Sequence, residues 1–308
     1  MRKFVKVVSL FLVPIVVMAM VMEVLLRQIP NAYKTKSAYY EKKHKTIETL
    51  ILGSSHLEYG VNPDFMFNEA LNFANVSQTI DIDCQLLKSL APQMPNLKYL
   101  IVRLSYTTLY EQLKKGDESW RIKDYNLYTP KRLDVKVKHQ FEVFSIKLKT
   151  NIKRLLDYYV YGKTKIKTSP AGWSVNTNIQ PAADLNKKGK AAALKHTVSN
   201  KALFNENVAY LDEVVKYCKA QNILVLLVTT PTYKSYYLNV NPKQLQATTQ
   251  TGKQMMLKYD NCKYYNLIDS PRFLESDFFD GDHLNRNGAK KLTEFLSFEM
   301  MKLEKTKK

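Results

Sequence analysis

The sequence predicts an α/β protein: a three-layer α/β/α sandwich with a central parallel sheet, preceded by one N-terminal transmembrane helix. Three observations predict it. Short apolar runs closed by turn residues recur along the chain, as buried parallel strands do. Amphipathic helical patterns lie between those runs, and strand–helix alternation builds a parallel sheet covered on both faces. A separate run of sixteen uncharged residues, 7–22, sits at the amino end.

That amino-terminal run resumes after Glu23 as Val24, Leu25 and Leu26. A helix of about 20 residues crosses a bilayer. Arg2, Lys3 and Lys6 precede the run, the basic flank of an amino end held in the cytoplasm. Arg27, Lys34 and Lys36 follow it, so the charge asymmetry is weak. A cleaved secretory signal is the alternative, but no small-x-small cleavage pattern follows the run and no cysteine marks lipoprotein processing. Either reading places the rest of the chain outside the cytoplasm. Residues 1–27 are therefore expected to form a signal-anchor helix. Residues 28–46, polar, basic and rich in Tyr, read as a membrane-proximal stalk, with the folded domain at 47–308.

Within that domain the first strand is expected at 49–53, where Thr-Leu-Ile-Leu is closed by Gly53. Strands of the same type are expected at 99–102 and 223–228, with weaker candidates at 71–74 and 263–266. Helices are expected at 80–90, 206–220, 242–259 and 287–303. In such sheets ligands bind outside the carboxyl ends of the strands.

Residues 107–204 interrupt the alternation as an insertion. From 110 to 200 the chain carries 19 Lys and Arg against 8 Asp and Glu, more than half of its net charge of +19. Within it, 141–161 reads as a helix packed on the body, and 173–190, with Pro170, Pro181 and three Gly in and around it, reads as loop. The insertion is either a solvated face or a lid or polymer-binding face over the site. A field of this sign favours polyanions. An extracytoplasmic domain makes the partner an anionic surface polymer or lipid, and not nucleic acid. Cys84, Cys218 and Cys262 form no closely spaced pair, and their odd number excludes a fully paired framework; one disulfide between two of them stays open. No metal site or cofactor is expected, since no second His or Cys lies at ligand spacing from His283.

Two short motifs carry chemistry. The first strand ends in Gly53-Ser54-Ser55-His56. A serine at a strand-to-helix turn can present its hydroxyl as a nucleophile and its N–H as an oxyanion donor. Near the other end, Asp280-Gly281-Asp282-His283 precedes the last helix. A carboxylate three residues before a histidine can reach the imidazole, fix its tautomer and steady its cation. Ser55 is thus the candidate nucleophile, His283 the base and Asp280 the orienting group. The bland alternatives are turn formation by Asp280 and Asp282 and a surface His283.

Together these motifs resemble the SGNH/GDSL hydrolase superfamily, whose first block ends strand one with Gly-Asp-Ser and whose last block is Asp-x-x-His before the final helix. The resemblance covers residues 49–303 apart from the insertion and implies a flavodoxin-like fold. The Leu52-Gly53-Ser54-Ser55-His56 start, the Asn72-Phe73-Ala74-Asn75-Val76-Ser77-Gln78 segment and the anchor look most like a bacterial subgroup. That subgroup includes teichoic acid D-alanyl transfer proteins and alginate-type O-acetyltransferases. It implies a plasma-membrane serine acyltransferase acting on a cell-surface polysaccharide beside a multi-pass acyltransferase of the MBOAT class. A carbohydrate esterase with the same triad, or a non-catalytic polymer-binding envelope protein, are the alternatives. In the family's second block a Gly N–H faces the oxyanion, and here Ser77 holds that place. The third block supplies an Asn side chain. This chain has Ser105-Tyr106-Thr107 there, with Thr107 nearest. Losing an oxyanion donor costs about 2.7–4 kcal/mol, which points to slow, partner-dependent chemistry. Ser105, His56 and Asn75 complete the expected pocket. Arg103 on its strand needs a partner if buried. His44, His139 and His196, among basic neighbours, read as surface. Trp120 and Trp173 could stack on sugars or anchor the core.

Overall fold

A computed structural model describes residues 1–163, 167–175 and 182–306. Its centre is a five-stranded, all-parallel sheet: β1 (Thr49–Leu52), β2 (Ala70–Asn72), β3 (Tyr99–Arg103), β4 (Leu224–Thr229) and β5 (Cys262–Asn266), in the order β2-β1-β3-β4-β5. This is the doubly wound order in which the crevice opens between β1 and β3. β1 to β4 are buried throughout, hence their aliphatic runs. β5 lies at one edge and is only half-buried, so its sequence is more polar.

Side chains alternate across the sheet and make two cores. Leu50, Leu52, Leu100, Val102, Val225 and Leu227 face one side, with Leu86, Leu87 and Leu90 of α4 (Ile80–Leu90) and Leu211, Val214 and Val215 of α9 (Phe204–Ala220). Ile51, Ile101, Leu226 and Val228 face the other, with Leu57 of α3 (Ser55–Gly60) and Leu292, Leu296 and Met300 of α12 (Arg286–Thr306). α11 (Pro242–Lys258) packs beside β5, its start set by Asn241, whose side chain accepts from the Lys243 and Gln244 N–H groups. The five strands and four helices expected of the sheet domain therefore stand, each within three residues of its predicted ends.

α1 (Arg2–Gln28) is long and apolar enough to cross a membrane and is exposed along most of its length. The segment expected to be a stalk instead forms α2 (Ala32–Lys43), capped by Asn31 and packed on the domain. Its inner face is Tyr33, Lys36, Ser37 and Tyr40, all buried. Lys36 Nζ contacts Glu58 Oε1 of α3 at 3.2 Å and Asn75 Oδ1 at 3.1 Å, and it also meets the Ala74 carbonyl. The burial is carried by polar and aromatic side chains, which an apolar periodicity does not register.

The insertion holds α5 (Ile122–Tyr128), α6 (Glu142–Ser145), α7 (Leu148–Leu155) and α8 (Ala182–Lys195), with α10 (Lys234–Tyr237) following β4. The single helix expected over 141–161 is broken. Asn151 Nδ2 donates to the Glu142 carbonyl at 3.2 Å and to the Val143 carbonyl at 3.4 Å, folding α6 back on α7. α7 then widens into a π turn over Leu156–Val160. Its inner face is also polar, Asn151 and Arg154 around the buried Glu142, with Arg154 Nη1 on Glu142 Oε2 at 2.7 Å. Of the loop expected at 173–190, residues 176–181 lie outside the described residues, and residues from 182 belong to α8. Cys84, Cys218 and Cys262 are buried free thiols, so the disulfide left open is not formed.

Candidate active site

Gly53 ends β1 at φ +139°, and a Cβ there would stand 2.7 Å from the Arg103 Cβ. The left-handed turn and the close crossing of β3 both require glycine. Ser54 then caps α3, its Oγ accepting from the His56 N–H at 3.4 Å. This leaves Ser55 as the first helical residue. An N–H at that position has no acceptor within its own helix, and the helix start favours negative charge.

Ser55 Oγ lies 2.8 Å from His283 Nε2. The ring's Nδ1 faces Asp280, 3.0 Å from Oδ1 and 3.1 Å from Oδ2. Asp280 Oδ1 also accepts the backbone N–H groups of His283 (2.8 Å) and Asp282 (3.1 Å). The turn thus fixes the carboxylate before the ring meets it, and residues 228 apart in sequence complete a serine–histidine–aspartate line. Asn285 holds the far end of this turn. It donates to the Ser276 and Phe278 carbonyls and caps α12 through the Asn287 and Gly288 N–H groups. Gly281 lies against Gly189 of α8, where a Cβ on Gly281 would fall 2.0 Å from the Gly189 Cα. The insertion therefore braces the histidine turn through a contact that leaves no room for a side chain at Gly281, while a Cβ on Gly189 would fall 2.1 Å from Ser235 Oγ of α10.

Asp282, for which the sequence offers only the bland alternative of turn formation, is buried and lines the site. Its oxygens lie 3.5 Å from His283 Nδ1, 3.5 Å from His56 Nε2 and 3.8 Å from His196 Nδ1. His56 stacks on His283 with ring centres 4.9 Å apart. Arg103 Nη1 reaches His56 Nδ1 at 3.3 Å, so that nitrogen accepts and Nε2–H points to Asp282. Burial pushes His56 down to about 4 against the pull of Asp282, so it is neutral at pH 7. For His283 burial also favours the neutral ring, but Asp282 and Asp280 outweigh it and raise the group to about 9. Burial works against an ionised Asp282, yet His283, His56 and His196 hold it well below the usual carboxylate range.

A pocket of about 110 Å³ opens at the carboxyl ends of β1 and β3. Every residue lining it is polar, including Ser54, Ser55, His56, Ser77, Thr107 and Arg103. Ser77 stands at φ +61°, a left-handed position at which glycine is the usual residue. Thr107 reaches the wall. Ser105 does not: it is buried, its N–H donating to Thr108 Oγ1 at 2.9 Å. Asn75 is not in the wall either. It is buried, donating to the Phe73 carbonyl (2.9 Å) and Gln78 Oε1 (3.0 Å), and it serves the α2 contact through Lys36. These two expectations are corrected.

His196 was expected at the surface but lies in the pocket wall at the end of α8, 2.9 Å from the Tyr236 hydroxyl. Gln78, the end of the Asn72–Gln78 segment, lines the wall with Glu111 and Thr79, which carried no signal in the sequence. His139 is also buried, 2.6 Å from Asp134, and His44 is half-buried against the Tyr40 carbonyl. Trp173 is a core anchor whose Nε1–H donates to the Tyr59 carbonyl at 2.8 Å. Trp120 is half-buried under Arg121.

His56, Asp282 and His283 bring three possible metal donors within 4.8 Å of one another. Their chemistry fits poorly with a dication. The Arg103 guanidinium already contacts His56, and His283 Nδ1 is turned to Asp280.

No family model matches this sequence, and no curated protein matches it. Among solved structures, the fold is similar to a Streptococcus pneumonia chain named for platelet activating factor, with TM-score 0.43 and 11% identity over 86% of this chain and 91% of that one. It is also similar to a Bacteroides fragilis chain named as an acylhydrolase, with TM-score 0.39 and 9% identity over 85% of this chain and 95% of that one. Neither likeness bears on the chemistry, which rests on the geometry of the site.

Proposed function

We propose that this chain is a serine acyl-transfer enzyme of the SGNH type, anchored by α1 with its domain outside the cytoplasm of a bacterial cell. The observation that carries the reading is the 2.8 Å contact from Ser55 Oγ to His283 Nε2, with Asp280 on the opposite ring nitrogen. Ser55 Oγ attacks the acyl carbon as His283 takes its proton, and the N–H groups of Ser55 and Ser77 face the developing oxyanion. The donor's leaving group departs with the proton from His283, leaving an ester on Ser55. An acceptor hydroxyl then gives its proton to His283 and attacks that ester, and Ser55 Oγ leaves with the proton from His283. Water in the acceptor's place makes the same residues an esterase.

The small pocket, about 110 Å³ and lined by polar residue types, suits a short acyl group such as acetyl better than a fatty chain. A basic chain suits an anionic surface polysaccharide as acceptor, and the anchor suits a donor delivered by a membrane acyltransferase of the MBOAT type. Thr107 stands where the family has Asn, and His283 keeps its proton near neutral pH. Both favour slow turnover away from that partner.

Covalent trapping tests the reading. The full chain in detergent is treated with a fluorophosphonate across a pH series and its intact mass is taken. One adduct, absent from Ser55→Ala, is expected. No adduct at any pH in folded protein, or an adduct that persists in Ser55→Ala, overturns the proposal. Product analysis with an acylated glycan then separates transfer from hydrolysis.

A further inference from the structure

We infer that the helical elbow of the insertion, residues 141–163, is a membrane-docking face lying in the headgroup layer of an anionic bilayer. The inference rests on the proposed membrane anchoring by α1 and not on the chemistry of Ser55.

The elbow is fastened to α1 where the apolar run ends. The Glu23 carboxylate accepts from the Glu142 N–H (3.1 Å), the Val143 N–H (2.9 Å) and Arg27 Nε (2.6 Å). Arg27 Nη2 donates to the Gln140 carbonyl at 2.9 Å, and the Tyr159 hydroxyl to the Leu25 carbonyl at 3.0 Å. Leu26 is fully buried in this junction. In a bilayer-spanning α1, Glu23 and Arg27 are the first charges after the uncharged run, so they mark the interface. Whatever is bonded to them sits at headgroup depth.

The elbow's outer surface suits that depth. Phe144, Leu148, Ile152, Leu156 and Val160 are 43 to 65% exposed. Leu148, Ile152 and Leu156 recur every four residues and share one face, and Lys149 and Lys153 form the adjacent row. Residues 141–163 carry five Lys and Arg against two acidic residues. An apolar stripe bordered by lysines matches an interfacial helix on anionic lipid. A soluble glycan offers nothing for the aliphatic row to bury. Continuity with the exposed apolar flank of α1 selects lipid as the phase that covers both.

The full chain is reconstituted in nanodiscs of phosphatidylcholine with phosphatidylglycerol. Ile152→Cys and, separately, Leu148→Cys carry an environment-sensitive fluorophore; the native thiols are buried and do not compete. Leu257→Cys, on the exposed end of α11, is the control. Blue-shifted emission and several-fold stronger quenching by shallow spin-labelled lipid are expected at both elbow positions relative to the control. The effect should weaken at high salt or without phosphatidylglycerol. Quenching equal to the control overturns the inference. So does a blue shift without lipid quenching, which assigns the face to a second copy or a protein partner. Quenching indifferent to phosphatidylglycerol overturns the anionic requirement.

Discussion

Asp282 lies between two imidazoles, with Oδ1 3.5 Å from His283 Nδ1 and Oδ2 3.5 Å from His56 Nε2. His283 thus faces two carboxylates, Asp280 and Asp282, whereas His56 faces one carboxylate and a guanidinium. One ring is held charged and the other neutral, although they stack.

The pH profile of Ser55 reactivity follows from this. The reactive form of His283 is neutral, and its two carboxylates raise it to about 9. Reactivity should climb through neutral pH and level off only above about 9. Asp282→Asn removes one of the charges that hold the proton, so the rise should move to lower pH while Asp280 keeps the ring in place. The rate of fluorophosphonate labelling against pH measures both, and coincident profiles would count against this role of Asp282.

Asp280→Asn should lower the labelling rate by about 10² to 10⁴-fold, since a misassigned tautomer is the known consequence of that change in a triad. Asp282 remains near Nδ1 as an alternative acceptor. The loss in Asp280→Asn/Asp282→Asn should therefore exceed the product of the two single losses, as neighbouring groups couple. Labelling rates of the four proteins at one alkaline pH decide it; simple multiplicativity would mean that Asp282 does not substitute.

Stability should depend on pH through the same rings, in opposite senses. The folded value of His283, about 9, exceeds its ordinary value of 6.5. Its stabilisation is complete below about 6.5 and is lost as pH rises through 9. His56 is lowered from 6.5 to about 4, so the unfolded chain binds that proton more readily and stability falls as pH drops from 6.5 towards 4. Thermal unfolding of the full chain in detergent should show both declines. His283→Ala should flatten the alkaline one and His56→Gln the acid one.

Lys36 and Glu58 form a buried pair between α2 and α3, and Glu58 Oε2 has no partner among the described residues. Lys36→Met strands the carboxylate, at a cost of about 3–5 kcal/mol. Lys36→Met/Glu58→Gln, which removes both charges, should recover much of the loss. Midpoints of denaturant unfolding compare them, and a double variant no better than the single one would refute the pairing.

β1, β3 and β4 were legible because buried parallel strands are aliphatic on both faces; β2, expected at 71–74, and the half-buried β5 gave weaker signals because Asn72 and Lys263 interrupt their apolar runs. The triad was legible because Asp280 and His283 sit on one turn and Ser55 follows a glycine. Asp282 was not, since its burial is decided by His56 and His196, 226 and 86 residues away in sequence. His196 and Glu111 reach the pocket through folding of the insertion, for which local pattern gives no rule. α2 was missed because its inner face is lysine, serine and tyrosine. α8 was missed because Gly189, a helix-weakening residue, is there for the close packing of α10, where a Cβ would meet Ser235 Oγ.

The Lys36 contact also bears on geometry at the scale of the cell surface. A flexible tether lets an enzyme sweep a volume, whereas α2, at 12 residues, is a strut of about 18 Å at a helix's rise per residue. It is clamped at one end to the helix that begins with Ser55. If α1 spans a bilayer as proposed, this clamp and the Glu23 junction together hold Ser55 at a set altitude over the lipid. On that reading the proposed acyl donor and acceptor must be brought to that altitude, and lengthening the Ile29-Pro30 joint between α1 and α2 would uncouple Ser55 from them without altering its site.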